Sequence, residues 1–183
     1  MLQPRGPEKN LKHYKPANLR TDTITLSDIY AWQKKYEADT RQITWNPRKT
    51  ASKRRTNTPE DSLYVLKGYL WYVKKEGFDC DYHIEIGSAD STDTRIIVEV
   101  ISSSYDLQAK IRKHLDSLHL LILGCTTKSP AAAHFRRGLP VMVTGFGFYD
   151  AFHKVNSNHG DNHTKKYIWE LHPVTDIRFV DSL

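Results

Sequence analysis

Cysteine is scarce in this 183-residue chain: two residues, Cys80 and Cys125, with no CxxC pairing. That spacing argues against a zinc knuckle and against a disulfide-built scaffold, and two ordinary thiols are expected. Long apolar runs are missing as well. The longest, Leu118 to Leu123 with His119 inside it, falls far short of the roughly 20 residues a membrane span needs, so no membrane partner is expected. The first eleven residues are polar, carry Pro4 and Pro7, and have no apolar stretch of the secretory kind, which makes a cytoplasmic setting the expectation. One acid-free segment is also strongly basic. Arg41 to Thr58 carries Arg41, Arg48, Lys49, Lys53, Arg54 and Arg55 with no Asp or Glu among them.

That segment locates the charge. The formal net charge is +6, and residues 1–61 hold 13 Lys/Arg against 7 Asp/Glu, whereas residues 62–183 hold 14 of each. The whole excess belongs to the N-terminal third. A basic extension beside a neutral domain suits phosphates or another polyanion, and single-stranded nucleic acid is the leading candidate partner. Arg48, Lys49, Lys53, Arg54 and Arg55 are its candidate contacts.

With 39% apolar and 26% charged residues, the chain has the balance of one folded domain rather than a disordered polymer. Two parts are expected: a basic extension over 1–61 and a core domain over 62–183. In the extension, Ser27 reads as the N-cap of a short accessory helix over about 27–39, with Asp28 in the first turn and Ile29, Trp32 and Tyr36 as an apolar stripe.

The core reads as strand, strand, strand, helix, strand, strand. The strands are Leu63–Lys75, Asp81–Ile86, Arg95–Ile101, Pro140–Tyr149 and Tyr167–Val180, rich in Val, Ile, Tyr and Trp and separated by polar or Gly-containing turns. The helix follows Ser103 or Ser104, carries Leu107, Ile111, Leu115, Leu118 and Ile122 on one face, and meets Gly124 at its end. This order is that of a five-stranded Greek-key barrel of the OB type, an all-β core with helices. A ferredoxin-like sandwich needs a helix between its first two strands, and Glu76–Asp79 is too short to hold one.

Alternation sorts the side chains. Tyr82, Ile84, Ile86, Ile96, Val98, Val100, Trp169 and Leu171 are expected inside the barrel, leaving Asp81, His83, Glu85, Arg95, Glu99, Glu170 and His172 on the outer wall. One register sets His83 across from Glu99. Barrel closure in the order 1-2-3-5-4 makes the second, third and fifth strands neighbours, so these groups share one wall. Imidazoles with carboxylates are the ingredients of a general acid/base site, with Asp81, His83, Glu99, Glu170 and His172 as candidate catalytic residues. They also suit a divalent cation, with His83, Glu99 and His172 as ligands. Glu99 and Glu170 sit near opposite ends of parallel strands, so a separation of 10 Å or more is the expectation. The connection after the fourth strand adds Asp150 and His153 as a candidate loop site, and Tyr64, Tyr69, Trp71 and Tyr72 include rings that can stack on bases.

The stretches Asp79-Cys80-Asp81-Tyr82-His83-Ile84, Ile97-Val98-Glu99-Val100, Val143-Thr144-Gly145-Phe146-Gly147-Phe148-Tyr149-Asp150 with His153, and Glu170-Leu171-His172-Pro173-Val174-Thr175-Asp176-Ile177 together resemble an uncharacterised bacterial family of small OB-like proteins. That resemblance spans about 110 residues. It implies the barrel and singles out Asp81, His83, Glu99, Asp150, His153, Glu170 and His172, but it brings no activity. Three readings of function follow from the sequence: nucleic-acid or polyanion binding, metal-assisted phosphodiester hydrolysis on the outer wall, and a protein-interaction module. Whether the protein is an enzyme, and its oligomeric state, are open at this point.

Overall fold

In the computed structural model, residues 21–42, 59–76, 80–90, 95–118, 132–150 and 169–183 are described. Six strands form one sheet: β1 (Thr21–Ile24), β2 (Leu63–Lys75), β3 (Tyr82–Gly87), β4 (Ile96–Val100), β5 (Ala132–Tyr149) and β6 (Trp169–Phe179). Their order is β1-β2-β3-β4-β6-β5, and β5 returns to pair with β2. Strands β2 to β6 thus close a ring in the order of an OB-type barrel, as the sequence pattern implied. Helix α1 (Leu26–Gln42) precedes the ring, a 3-10 turn (Pro59–Asp61) leads into it, and helix α2 (Tyr105–Ser117) lies between β4 and β5.

The core forms where alternation placed it. Leu66, Leu70, Val73, Ile84, Ile86, Val98, Val100, Val141, Val143, Leu171 and Ile177 are fully buried, and Trp169 closes one end. Antiparallel register pairs His83 with Glu99 and Ile84 with Val98. Parallel pairing sets Val98 beside Leu171. β5 is longer than its expected 140–149 span because residues 132–134 resume pairing with Lys74, Val73 and Tyr72 after a break in register. Between Tyr72↔His134 and Leu70↔Leu139, Trp71 alone stands opposite residues 135–138, a wide bulge. The excursion lies directly on the indole: a Cβ at Gly138 would come within 2.8 Å of Trp71 Cε2 and 2.7 Å of Tyr69 Cβ, so only glycine fits.

Several local expectations are corrected. β1 was not anticipated; it pairs in parallel with the start of β2, Thr21 beside Leu63. Thr25, not Ser27, caps α1. Its N–H and Oγ1 both donate to Asp28 Oδ2 at 2.7 Å, and Asp28 N–H donates back to Thr25 Oγ1 at 3.3 Å. This reciprocal arrangement is a capping box, which moves the helix start two residues back. Ile29 is buried and Trp32 packs on the core, while the Tyr36 side chain lies outside the described residues. α2 ends at Ser117, so Leu118 is exposed rather than on the apolar stripe, and Ile122 and Gly124 lie outside the described residues. Cys80 is disulfide-bonded, against the expectation of two free thiols, and the chain's other cysteine is Cys125.

Because Leu171 is fully buried in the ring's shared core, Leu171→Ala should destabilise the domain by about 2–5 kcal/mol. Urea unfolding followed by Trp fluorescence measures this. A loss below about 0.5 kcal/mol, the range of surface changes, would mean β6 presents the opposite face.

Candidate functional site: a buried acidic and imidazole wall

The outer wall of β3, β4 and β6 carries polar residues, but it is not a solvent face. Asp81, His83, Glu85, Arg95, Glu170 and His172 are all buried, with Glu85 at 0% and His172 at 2% exposure. The Glu99 side chain, 12% exposed, is the most open member. Ile97, on the same wall, is also buried. Alternation read the direction of these side chains correctly, and the assumption that outward means solvated is what fails.

The geometry follows from the registers. Antiparallel β3–β4 pairing sets His83 opposite Glu99, and parallel β4–β6 pairing carries Glu99 past Leu171 to His172. One Glu99 carboxylate consequently serves two imidazoles: Oε2 lies 2.7 Å from His172 Nδ1 and Oε1 lies 3.5 Å from His83 Nδ1. His172 Nδ1 is also 3.8 Å from Glu170 Oε2, so the expected wide separation of Glu170 from Glu99 is corrected: the His172 ring connects them. His83 Nε2 stands 3.9 Å from Glu85 Oε1, and Arg95 Nη1 donates to Glu85 Oε2 at 3.2 Å. The Arg95 guanidinium also lies 5.4 Å from the Trp71 ring, whose Nε1–H donates to Ser88 O at 2.8 Å.

Asp81 enters from the end of the wall. Its Oδ1 accepts the Ser102 backbone N–H at 2.6 Å. The preceding turn aims it: Cys80 has φ 67°, Cys80 N–H donates to Glu76 O, and Glu76 N–H donates to Asp81 O. Gln108 of α2, itself buried, donates from Nε2 to Cys80 O at 3.1 Å and to Val100 O at 3.4 Å. That amide ties helix α2 to both strand ends. Sequence reading passed over Gln108, although it stands three residues before Ile111 and seven before Leu115, on the stripe that α2 buries.

Asp81, Glu99 and His172 come closest of all. Each offers a ligand atom, and these atoms lie within 4.8 Å of one another. His83, expected as a ligand in place of Asp81, stands instead beside the trio, bridging Glu99 and Glu85. Rings frame the wall: Phe148 packs on His172 with centroids 5.3 Å apart, and Tyr72 meets His83 edge-on at 6.3 Å. Asp150 is buried one residue past β5, on the face of Phe148 by alternation. His153, together with Arg48, Lys49, Lys53, Arg54 and Arg55, lies outside the described residues.

The electrostatics of this wall are lopsided. Asp81, Glu85, Glu99 and Glu170 bring four carboxyls, against the Arg95 guanidinium and two imidazoles. Among these described residues, carboxyls outnumber the groups able to carry positive charge by one. Buried charge without compensation costs several kcal/mol, so a cation bound at this wall would be favoured. For His83, burial acts to lower the pKa, but contacts with Glu85 and Glu99 and the charges of Glu99 and Glu170 outweigh it and raise the group to about 9.

No protein-family model and no curated protein matches the chain. Among solved structures, it is similar to an asparaginyl-tRNA synthetase from Entamoeba histolytica at 14% identity and a TM-score of 0.33. The match covers 66% of this chain and 21% of that enzyme.

A raised His83 pKa fixes a pH dependence. A group whose folded pKa exceeds its unfolded value of 6.5 contributes full stabilisation below 6.5 and loses it as pH climbs through about 9. In chelator-treated protein, stability should fall between pH 6.5 and 9 by on the order of 3 kcal/mol, and His83→Gln should flatten that fall. Denaturant melts at half-unit pH steps measure it; an equal slope in the variant would assign the dependence to other groups.

Proposed function

We propose that the outer wall is a divalent-cation centre serving phosphodiester hydrolysis, with Asp81, Glu99 and His172 as ligands. The observation that carries this reading is the convergence of two carboxylates and an imidazole within 4.8 Å in a buried, acid-rich wall. A mixed oxygen and nitrogen donor set suits Mn²⁺, Zn²⁺ or Mg²⁺ in differing degrees, and a cation there relieves the excess negative charge. His83 shares the Glu99 carboxylate with His172 and so holds that ligand in place, as partners of metal ligands do. It is also the imidazole placed beside these ligands to donate a proton to a departing alkoxide. A bound cation would polarise the phosphoryl oxygen and lower the pKa of a coordinated water. Glu99, the most open of the ligands, marks the side from which a phosphate would approach.

The polyanion reading joins this one. An OB-type barrel is a frequent carrier of nucleic-acid contacts, and the entire +6 excess belongs to residues 1–61, so the basic run is assigned the role of drawing the substrate backbone in. The motifs that resemble the uncharacterised bacterial family contain all three proposed ligands, and we assign the chain to that family on them. The protein-interaction reading has no observation of its own in its favour.

Mn²⁺, Zn²⁺ or Mg²⁺ should raise the melting temperature, because a ligand held only by the folded state stabilises it. The gain should vanish in His172→Ala and in Asp81→Asn, and hydrolysis of bis(p-nitrophenyl) phosphate should be lost with it. A melting temperature indifferent to all three metals, in a folded wild type, would end the metal-centre reading.

For the basic run, affinity for a single-stranded oligonucleotide should fall steeply with salt, and replacing Arg48, Lys49, Lys53, Arg54 and Arg55 by Ser should flatten the slope by up to about five phosphate contacts' worth. Filter binding between about 50 and 200 mM salt reads this. An unchanged slope would remove these residues from the interface.

A further inference from the structure

Beside the acidic wall the surface changes character. Across the wide bulge, Tyr72 of β2 pairs with His134 of β5, and their rings lie 4.6 Å apart. His134 is exposed and Tyr72 half-buried, so the pair opens to solvent on one side. On its inner side the Tyr72 ring meets His83 at 6.3 Å, which joins it directly to the Glu99 neighbourhood. The excursion that follows His134 brings Arg136 and Arg137, both exposed, and it is seated by Gly138 on Trp71. Aromatic faces, two guanidinia and a short path to a carboxylate–imidazole centre thus occupy one stretch of β5 and β2. Among the described residues, the wall itself would repel a polyanion unless a cation is bound, and this strip supplies the opposite sign next to it.

We propose that the Tyr72–His134 pair with Arg136 and Arg137 is the subsite that receives a single-stranded nucleic acid, one base resting on the ring pair and the adjoining phosphates on the guanidinia. This rests on the phosphodiester reading above and names its substrate class. Stacking on an aromatic face is tolerant of base identity and needs an unpaired base, which a duplex does not offer. Guanidinium forks match phosphate oxygens in pairs and add a salt-dependent attraction. The Tyr72–His83 contact sets the spacing: a base on the ring pair places its neighbouring phosphate toward His83 and Glu99. The alternative occupants, a duplex or an acidic peptide, would use the guanidinia and leave the rings idle.

The test is fluorescence anisotropy with the full chain in EDTA, using a labelled single strand of about ten nucleotides, within the span one OB domain covers. Binding without metal separates this subsite from the cation centre. Tyr72→Leu and His134→Ala should each weaken binding by about 5- to 100-fold, the range for losing one stacked base, while Tyr72→Phe binds as wild type. A strand abasic at each position should show the same loss on wild type and no further loss on Tyr72→Leu. Arg136→Ser with Arg137→Ser should reduce the salt slope by about 1.4, the single-strand value for two phosphate contacts. His134 is exposed, so its variant stays informative even if Tyr72→Leu folds poorly. Equal binding of duplex or polyglutamate, no binding of the single strand, or wild-type affinity in folded His134→Ala would each overturn the proposal. If metal stabilisation persists while oligonucleotide binding is absent, this subsite fails alone. If oligonucleotide binding persists while all metals leave the melting temperature unchanged, the cation centre fails and the subsite stands.

Discussion

Parallel pairing of β4 with β6 is the constraint on which the rest of the molecule turns. An antiparallel hairpin of β3 and β4 by itself would give one imidazole–carboxylate pair, His83 with Glu99, of the kind found on many sheet surfaces. Closing the ring lays β6 alongside β4 with Val98 beside Leu171, and the next residue on each strand then faces the same way. Glu99 and His172 meet for that reason, at 2.7 Å. The apolar side of the same strands supplies the force that holds the register, since slipping β6 by one residue would turn Leu171 out of the core and His172 into it. The chemistry of one face is therefore held in place by the packing of the other.

Burial changes what these groups can be. On an exposed surface the same residues would be worth little, their charges screened and their side chains free to turn away. Under the cover of Trp71, Tyr72 and Phe148 they keep fixed positions, and their mutual repulsion is not relieved by water. An arrangement that is unfavourable without a counter-charge is a common basis of affinity for one, and the raised pKa of His83 is the same imbalance expressed toward protons.

Much of this was legible in the residues. Period-2 alternation through Tyr82–Ile86 and Ile96–Val100 assigned both faces of the wall, and the apolar face then allowed the His83–Glu99 register. The barrel followed from the element order of three strands, a helix and two strands, and the lack of room for a helix between Lys75 and Asp81 excluded the ferredoxin-like sandwich. Three things were not legible. Alternation gives direction but not cover, and the cover is long-range: Phe148 of β5 packs on His172, and Trp71 of β2 lies against Arg95, which pairs with Glu85. Strand stagger in a closed ring is likewise non-local, which is why Glu170 and Glu99 were expected apart and are joined through His172. The capping box at Thr25 was misplaced because Ser27 offers an equally good local signal. The Cys80 disulfide was missed because spacing alone does not distinguish a bridge from two thiols.

Gln108 has a wider consequence. Its amide group holds the carbonyls of Cys80 and Val100 at once, so the end of the β3–β4 hairpin and the docking of α2 form one unit. Ile111 and Leu115 of α2 are buried in the shared core, so the brace on the turn that carries Asp81 is anchored by the same packing that holds the barrel. The wall thus has two supports of different kind: strand register alone sets the Glu99–His172 contact, whereas the turn carrying Asp81 is tied to the packing of a helix.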